Sequence, residues 1–379
     1  MWSTPVAAAS PDPGDNRGMR TTIHHRVAIT TLAASALLLC TSAWCDPEEA
    51  PLDIGAGDGT PGVMMEDIVL RPGVTVDLFV NVYGDTSEIE TVEDLSDCQY
   101  AIHGGVFAAA SWRPYAEALG EGRCVIAPDM PVRGNSGEPE GLLFGELDLF
   151  DYVTAHIAIL DRLAAADVEP ETILGHSMGG TLLMMIQQRL VDEGTELEAR
   201  YDIKEAILVA SDLPAEVPWA LGDSGDLSGL IEDFAVEEPA YGTLFEIPVE
   251  LWPAFYFTDL NGDVVPNGLS PQEIEAGGFN ALGEPLLAIQ QLNGTGPYSA
   301  RPSAAAGLFS DEIRLRAIAY EQDIYVQLGE SETLYQHLTG DASSDCFVPV
   351  LGPDTAHVLQ FSNPQALVDA IDGSEDCDY

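Results

Sequence analysis

The sequence predicts an α/β fold, a mostly parallel, doubly wound sheet with a cap or lid of about 100 residues inserted into it. Three observations carry that expectation. Short apolar runs alternate with helical patterns over 64–211 and again over 311–379. The alternation fails over 212–310, a stretch rich in Pro, Gly and aromatic residues. The run TILGHSMGGTL at 172–182 sets a glycine-flanked serine between an apolar run and a long helical pattern. Strand and helix in alternation mean βαβ units, whose parallel strands are buried on both faces.

The elements follow in order. After a Gly/Pro/Asp-rich linker at 46–63, strands are expected at 64–70 and 74–82, the second reading VTVDLFVNVY with period-two alternation. Then come QYAIHGG and the helix SWRPYAEAL, CVIAPD and the helix LDLFDYVTAHIAILDRLAA, TILGHS and the helix MGGTLLMMIQQRLVDEG, and the strand KEAILVAS. Residues 212–310 show few clean periods, and an insertion of that length in a sheet protein reads as a cap. The alternation resumes with DEIRLRAIA, a strand expected at QDIYVQL, a helix near 332–339, the strand CFVPVLG and a closing helix at NPQALVDAI.

The chain carries 14 Lys+Arg against 63 Asp+Glu, a formal charge of -49, and Lys204 is its only lysine. A surface so negative repels phosphate backbones and anionic lipid heads, which argues against nucleic acid and peripheral membrane partners. The acids are spread along the chain, as for a solvated surface adapted to salt. Residues 1–45 hold a signal region whose true start is expected at Met19: Arg20 and Arg26 precede an apolar stretch from Val27 to Leu39, then Thr41, Ser42 and Ala43. That is the order of a secretory signal peptide, with an apolar run too short to span a bilayer. Export is therefore expected, with lipid attachment at Cys40 left open. Beyond the leader, Cys98, Cys124, Cys346 and Cys377 make an even number in an oxidising compartment, and the pairs Cys98–Cys124 and Cys346–Cys377 are expected. No Cys/His cluster points to zinc. Asp259-Leu260-Asn261-Gly262-Asp263 resembles the start of a calcium loop, but Val264 and Ser270 stand where glycine and glutamate are needed, so it reads as a turn. No metal or other cofactor is expected.

In Gly175-His176-Ser177-Met178-Gly179 the glycines let strand and helix close around a tight turn, with the serine hydroxyl exposed above the carboxyl edge of the sheet. Ser177 is the expected nucleophile. A serine hydroxyl needs a base. His357, in the loop between CFVPVLG and the closing helix, is best placed, with His337 as the reserve; His176 should point away from the turn, and His103 and His156 lie upstream. The base needs a carboxylate to fix its tautomer. Glu332, in Gly329-Glu330-Ser331-Glu332 after the expected strand QDIYVQL, is the first choice, and Asp212 at the end of KEAILVAS is the competitor. Oxyanion donors are expected at Met178 N–H, at a helix start, and at Gly105 N–H in His103-Gly104-Gly105.

These residues resemble the α/β-hydrolase superfamily over roughly 75–379 outside the cap. The resemblance rests on HGG at 103–105, PDMPVRGNSG at 128–137, GHSMGG at 175–180, GESE at 329–332 and AHVLQFSNPQ at 356–365. Two departures stand out: the family's usual acid is aspartate, and the Arg-Gly loop after Asp129 differs slightly in length. GHSMGG is also similar to secreted lipases and cutinases, but the small cutinases lack so large a cap. The resemblance implies acyl transfer to water through an acyl-enzyme, usually on carboxylic esters.

The expectation is thus an exported serine hydrolase acting on a small-molecule or lipid-like ester, with no stable membrane span in the mature chain and its oligomeric state open. Trp219, Trp252, Phe255, Tyr256 and Phe257 either line an apolar pocket or form the core of the cap itself. Amide or peptide cleavage, acyl transfer to another acceptor, and non-catalytic binding on the same fold are the alternatives.

Overall fold

The computed structural model describes residues 54–56, 61–87, 89, 91–223, 226–260, 262, 264, 274, 283–341 and 345–373. The leader with Met19 and Cys40, Asn261 and Asp263 of the calcium-like run, and Cys377, hence the expected Cys346–Cys377 pair, lie outside the described residues.

Nine strands make the main sheet: β1 (Ile54–Ala56), β2 (Pro61–Arg71), β3 (Val74–Gly84), β4 (Gln99–Ile102), β5 (Cys124–Pro128), β6 (Thr172–His176), β7 (Glu205–Val209), β11 (Arg314–Tyr320) and β12 (Phe347–Val350), in the order β1-β2-β3-β5-β4-β6-β7-β11-β12. The run from β1 to β5 pairs antiparallel, and from β5 onward every pairing is parallel. Residues of the insertion add a separate three-stranded sheet of β8 (Ala235–Glu238), β9 (Gly242–Phe245) and β10 (Glu284–Pro285).

The central strands are apolar throughout because both faces are covered. Side chains alternate between two cores with the strand period of two. Tyr100, Ile102 and Ile126 join one core with the helices α2 (Leu149–Ala165) and α3 (Met178–Asp192). Ala101, Val125 and Ala127 join the other with α1 (Arg113–Leu119) and the closing helix Pro364–Asp372. Helix α2 starts where Asp148 accepts the N–H groups of Phe150 and Asp151, while the Asp151 carboxylate accepts the Asp148 N–H at 2.9 Å. It then buries Leu149, Asp151, Tyr152, Val153, Ala155, His156, Ile157, Ile159, Leu160 and Leu163, a broad face that packs on the sheet and on α3.

The strand expected at QDIYVQL is not formed. Strand β11 ends at Tyr320, and Asp323 Oδ1 accepts the N–H groups of Tyr325 (2.7 Å) and Val326 (3.2 Å), a local turn that takes the backbone donors a strand would need. Gly329-Glu330-Ser331-Glu332 is correspondingly not a loop at the sheet edge but the first turn and more of the helix Leu328–Thr339. Glu330 there accepts the Gln327 N–H at 2.9 Å as part of a capping box.

Cys98, just before β4, is bonded to Cys124, the first residue of the parallel neighbour β5, so the expected pairing is present. With a sequence separation of 26, the bond should stabilise the fold by about 3 kcal/mol through loss of unfolded-chain freedom. The double substitution Cys98→Ser/Cys124→Ser should lower the unfolding free energy in water by that amount, with a steeper denaturant slope because the uncrosslinked unfolded chain exposes more surface, whereas an unaltered unfolding free energy would show that the bond adds nothing.

Candidate active site

Ser177 sits at the tip between β6 and α3 with φ 53° and ψ −124°, a left-handed backbone that an L-residue adopts only under constraint. Its N–H is tied to Val209 O at 3.0 Å. The turn closes only because its neighbours lack side chains. A Cβ on Gly175 would lie 2.5 Å from Gly179 O, and one on Gly179 would lie 2.4 Å from Ile102 O. Strand, turn and helix therefore pack backbone against backbone, and the Ser177 hydroxyl projects from the carboxyl end of the sheet.

His357, in the loop after β12, reaches Ser177 Oγ through Nε2 at 2.9 Å, and its Nδ1 lies 2.8 Å from Asp323 Oδ2. A carboxylate only accepts, so the proton is on Nδ1 and Nε2 is free to accept from the serine hydroxyl. Asp323 and His357 are both buried. Asp323 rather than Glu332 is thus the acid beside the histidine. Asp323 follows β11 by three residues in the turn described above, which uses one carboxylate oxygen and aims the other at the imidazole. Glu332, half-buried in its helix, does not hold that position.

Burial alone would lower the affinity of His357 for a second proton. The charge and hydrogen bond of Asp323, with a further contribution from Asp212, outweigh it and raise the pKa above the ordinary 6.5. Asp212, the competitor, follows β7 and is buried beside Ser177 and His357. Burial pushes its carboxyl up to about 6, with His357 and a hydrogen bond to Ser177 pulling down and Asp323 pushing up. Sequence reasoning therefore found one of two buried carboxylates here and missed the one that touches the ring.

Gly105 and Met178 stand together beside the serine: a Cβ on Gly105 would lie 3.5 Å from Met178 Sδ, and both residues line the cavity that holds Ser177 and His357. Met178 opens α3, so its N–H has no carbonyl within the helix to meet. The other four histidines among the described residues are held by hydrogen bonds away from the Ser177 hydroxyl. His176 donates from Nε2 to the His357 carbonyl at 2.8 Å and is kept neutral by burial and by His357 nearby, so it pins the histidine loop. His156 is bonded to the Tyr100 hydroxyl, His103 to Gly104 O and His337 to Ala304 O.

The cavity over Ser177 is about 100 Å³ and its walls are mainly apolar. The aromatics of the insertion divide between the two expected roles. Trp219, Phe255 and Tyr256 line the cavity, while Trp252 donates to Ile247 O at 2.8 Å and Phe257 packs on Phe361, away from the lining. Among the described residues no cluster of His, Cys, Asp and Glu is arranged to hold a metal ion, and no helix is long and apolar enough to cross a membrane.

A family model described as "Alpha/beta hydrolase family" matches residues 101–370. Similar solved structures include a thermophilic esterase from Thermogutta terrifontis in malate-bound form, with TM-score 0.54 and 15% identity over 82% of this chain and 97% of that one. An esterase from Exiguobacterium antarcticum has TM-score 0.56 and 12% identity over 82% and 97%. A bromoperoxidase from Bacillus anthracis has TM-score 0.51 and 15% identity over 83% and 99%. At such identities the likeness is one of fold. No curated protein matches the chain in sequence.

The geometry around His357 makes a titration prediction. In proton NMR the ring should titrate above 6.5, and Asp323→Asn should bring it below 6.5, because burial then acts with less opposition. Glu332→Gln should leave it in place. A ring that responds to Glu332→Gln and not to Asp323→Asn would reverse the assignment.

Proposed function

The chain belongs to the α/β hydrolase family, and on that basis we propose that it is an exported serine hydrolase that cleaves carboxylic esters. The observation that carries this reading is the line Ser177 Oγ, His357 Nε2, His357 Nδ1, Asp323 Oδ2, with bonds of 2.9 and 2.8 Å between groups from three different loops at one end of the sheet. Ser177 attacks the ester carbonyl as His357 takes its proton. The tetrahedral oxyanion is held by the N–H groups of Gly105 and Met178. The C–O bond to the alcohol then breaks as His357 returns the proton to the leaving oxygen. Water, activated by the same histidine, releases the acid from the acyl-enzyme. Asp323 orients the ring and balances the imidazolium.

The cavity narrows the substrate. At about 100 Å³ it is well below the roughly 300–1,000 Å³ of sites for drug-sized ligands. Its lining includes no Lys or Arg to hold an anionic group. A neutral ester with a short apolar acyl group fits both facts. Export rests on the leader sequence and is supported by the Cys98–Cys124 bond, of a kind found in oxidising compartments.

The test is a p-nitrophenyl ester series from acetate to palmitate, with salt varied. Turnover should be greatest on the shortest chains and fall by roughly tenfold or more at palmitate, since a methylene in or out of an apolar pocket is worth ~1–3 kcal/mol. Ser177→Ala should abolish it, Asp323→Asn should lower kcat by roughly 10³- to 10⁴-fold, and Glu332→Gln should stay within about twofold of wild type. No turnover of any ester by wild type at any salt would refute ester hydrolysis and favour an amide or an acceptor other than water.

The pH profile has a definite sign. The base must be neutral, so kcat/KM should rise with pH through the raised pKa of His357. Asp212→Asn removes a carboxylate that favours the imidazolium, so it should move that rise to lower pH. A shift to higher pH would contradict the electrostatics given for the site.

A further inference from the structure

The loop carrying Gly105 is held by a residue that belongs to the insertion. Val106 has φ 60°, in a left-handed region that a β-branched side chain disfavours. The turn bond closing this loop, Phe107 N–H to Gly104 O, is long at 3.4 Å. Two charged bonds restrain it: the Ala109 N–H donates to Asp129 Oδ1 at 2.9 Å, and the Val106 N–H donates to Glu284 Oε2 at 2.8 Å although the latter two residues are 178 positions apart. Glu284 lies on β10, in the small sheet of the insertion, and is 1% exposed. The same oxygen accepts from the Arg133 guanidinium at 2.8 Å, and the other accepts the Tyr152 hydroxyl at 2.5 Å. Arg133 belongs to the loop after β5 and is fully buried, and Tyr152 belongs to α2. One carboxylate of the insertion therefore ties together three separate segments of the main domain, and one of the three is the loop beside the reacting carbonyl.

We propose that Glu284 is a positioning residue. By holding the Val106 N–H it keeps the loop in the conformation that presents the Gly105 N–H to the oxyanion. The insertion is then more than a wall of the pocket: its docking completes the oxyanion hole, and an undocked insertion leaves the serine without one of its two donors. The inference rests on the reading of Ser177 as an esterase nucleophile. It follows from the bonding of the loop: a charged hydrogen bond is about twice as strong as a neutral one, and this one is made at the strained residue next to Gly105, three positions nearer to it than the Ala109–Asp129 bond.

The experiment uses the mature chain and variants Glu284→Gln and Tyr152→Phe, each checked for an intact thermal transition. Three quantities are read: kcat and KM on p-nitrophenyl butyrate, the inhibition constant of a trifluoromethyl ketone, whose adduct with the serine places an oxyanion in the hole, and labelling by a fluorophosphonate. Glu284→Gln should lower kcat by roughly 30-fold, somewhat less than deletion of an oxyanion donor. KM should stay within about threefold. The ketone should weaken by a factor comparable to the loss in kcat, a parallel that a purely structural defect would not produce. If Arg133, left without its counter-charge, prevents Glu284→Gln from folding, Tyr152→Phe decides. That substitution removes one neutral donor from Glu284 and should lower kcat and ketone affinity together by about threefold.

A raised KM at unchanged kcat would reduce Glu284 to shaping the pocket, and unchanged ketone affinity in the folded variants would overturn the proposal outright. Those failures leave wild-type turnover and labelling intact. A wild type that neither hydrolyses an ester nor takes the label removes the esterase reading and this inference with it.

Discussion

The backbone contact at the Ser177 turn is the constraint from which the site follows. Gly175, Gly179 and the end of β4 approach so closely that no Cβ fits at either glycine. That approach fixes the direction of α3, brings Met178 beside the HGG loop and holds Ser177 in a conformation that ordinary strand-to-helix connections avoid. Everything else at the site is delivered to that fixed point by loops at the carboxyl ends of β4, β7, β11 and β12. A parallel sheet sends all those loops to one edge, where side chains from distant parts of the chain meet without altering the core beneath them.

Charge is deployed unevenly. With 14 cationic side chains against 63 acids, most carboxylates must depend on water. Several of the cations are nevertheless taken into the fold. Arg133 pairs with Glu284 in full burial, Arg316 pairs with Glu205, and Arg301 pairs with Asp223. Pairing a buried charge is worth little net, but leaving one partner alone is costly, so these contacts act mainly as constraints on which arrangement the chain can adopt. The Arg133–Glu284 pair joins the small sheet of the insertion to the loop after β5. The cavity itself keeps no cation, which leaves Asp212 and Asp323 as the charges nearest the imidazole.

What the sequence made legible was the part fixed locally. The strand-turn-helix around Ser177, the histidine between the last strand and the closing helix, and the Cys98–Cys124 pair each depend on residues near one another or on neighbouring strand ends. Asp323 was missed because Ile324, Tyr325, Val326 and Leu328 look like a strand, and an apolar alternation cannot reveal that a preceding aspartate has captured the backbone N–H groups. The misplaced strand moved the expected acid position onto Glu332, whose neighbourhood is a helix start with its own capping signature, Gln327 to Glu330. A polar Glu321-Gln322-Asp323 directly after DEIRLRAIAY was the available signal. The role of Glu284 had none, because nothing in a two-residue strand indicates a carboxylate bonded 178 residues back along the chain.

The presence of Asp212 raises a difficulty that the fold itself resolves. An ionised carboxylate beside Ser177 would compete with His357 for the hydroxyl proton and would repel the oxyanion forming at the carbonyl. It would also favour the imidazolium once His357 has taken the proton, so its effect on the reaction has two signs. Burial pushes its pKa up to about 6, which makes it an acid easily reprotonated when negative charge develops nearby. Asp323 escapes the same ambiguity because one of its oxygens is saturated by two backbone N–H groups while the other faces only the imidazole. Two buried aspartates flank one histidine, and their hydrogen-bond partners separate them: Asp323 is fixed by two backbone N–H groups and meets the imidazole Nδ1, while Asp212 lies on the Ser177 side with its carboxyl pushed up by burial.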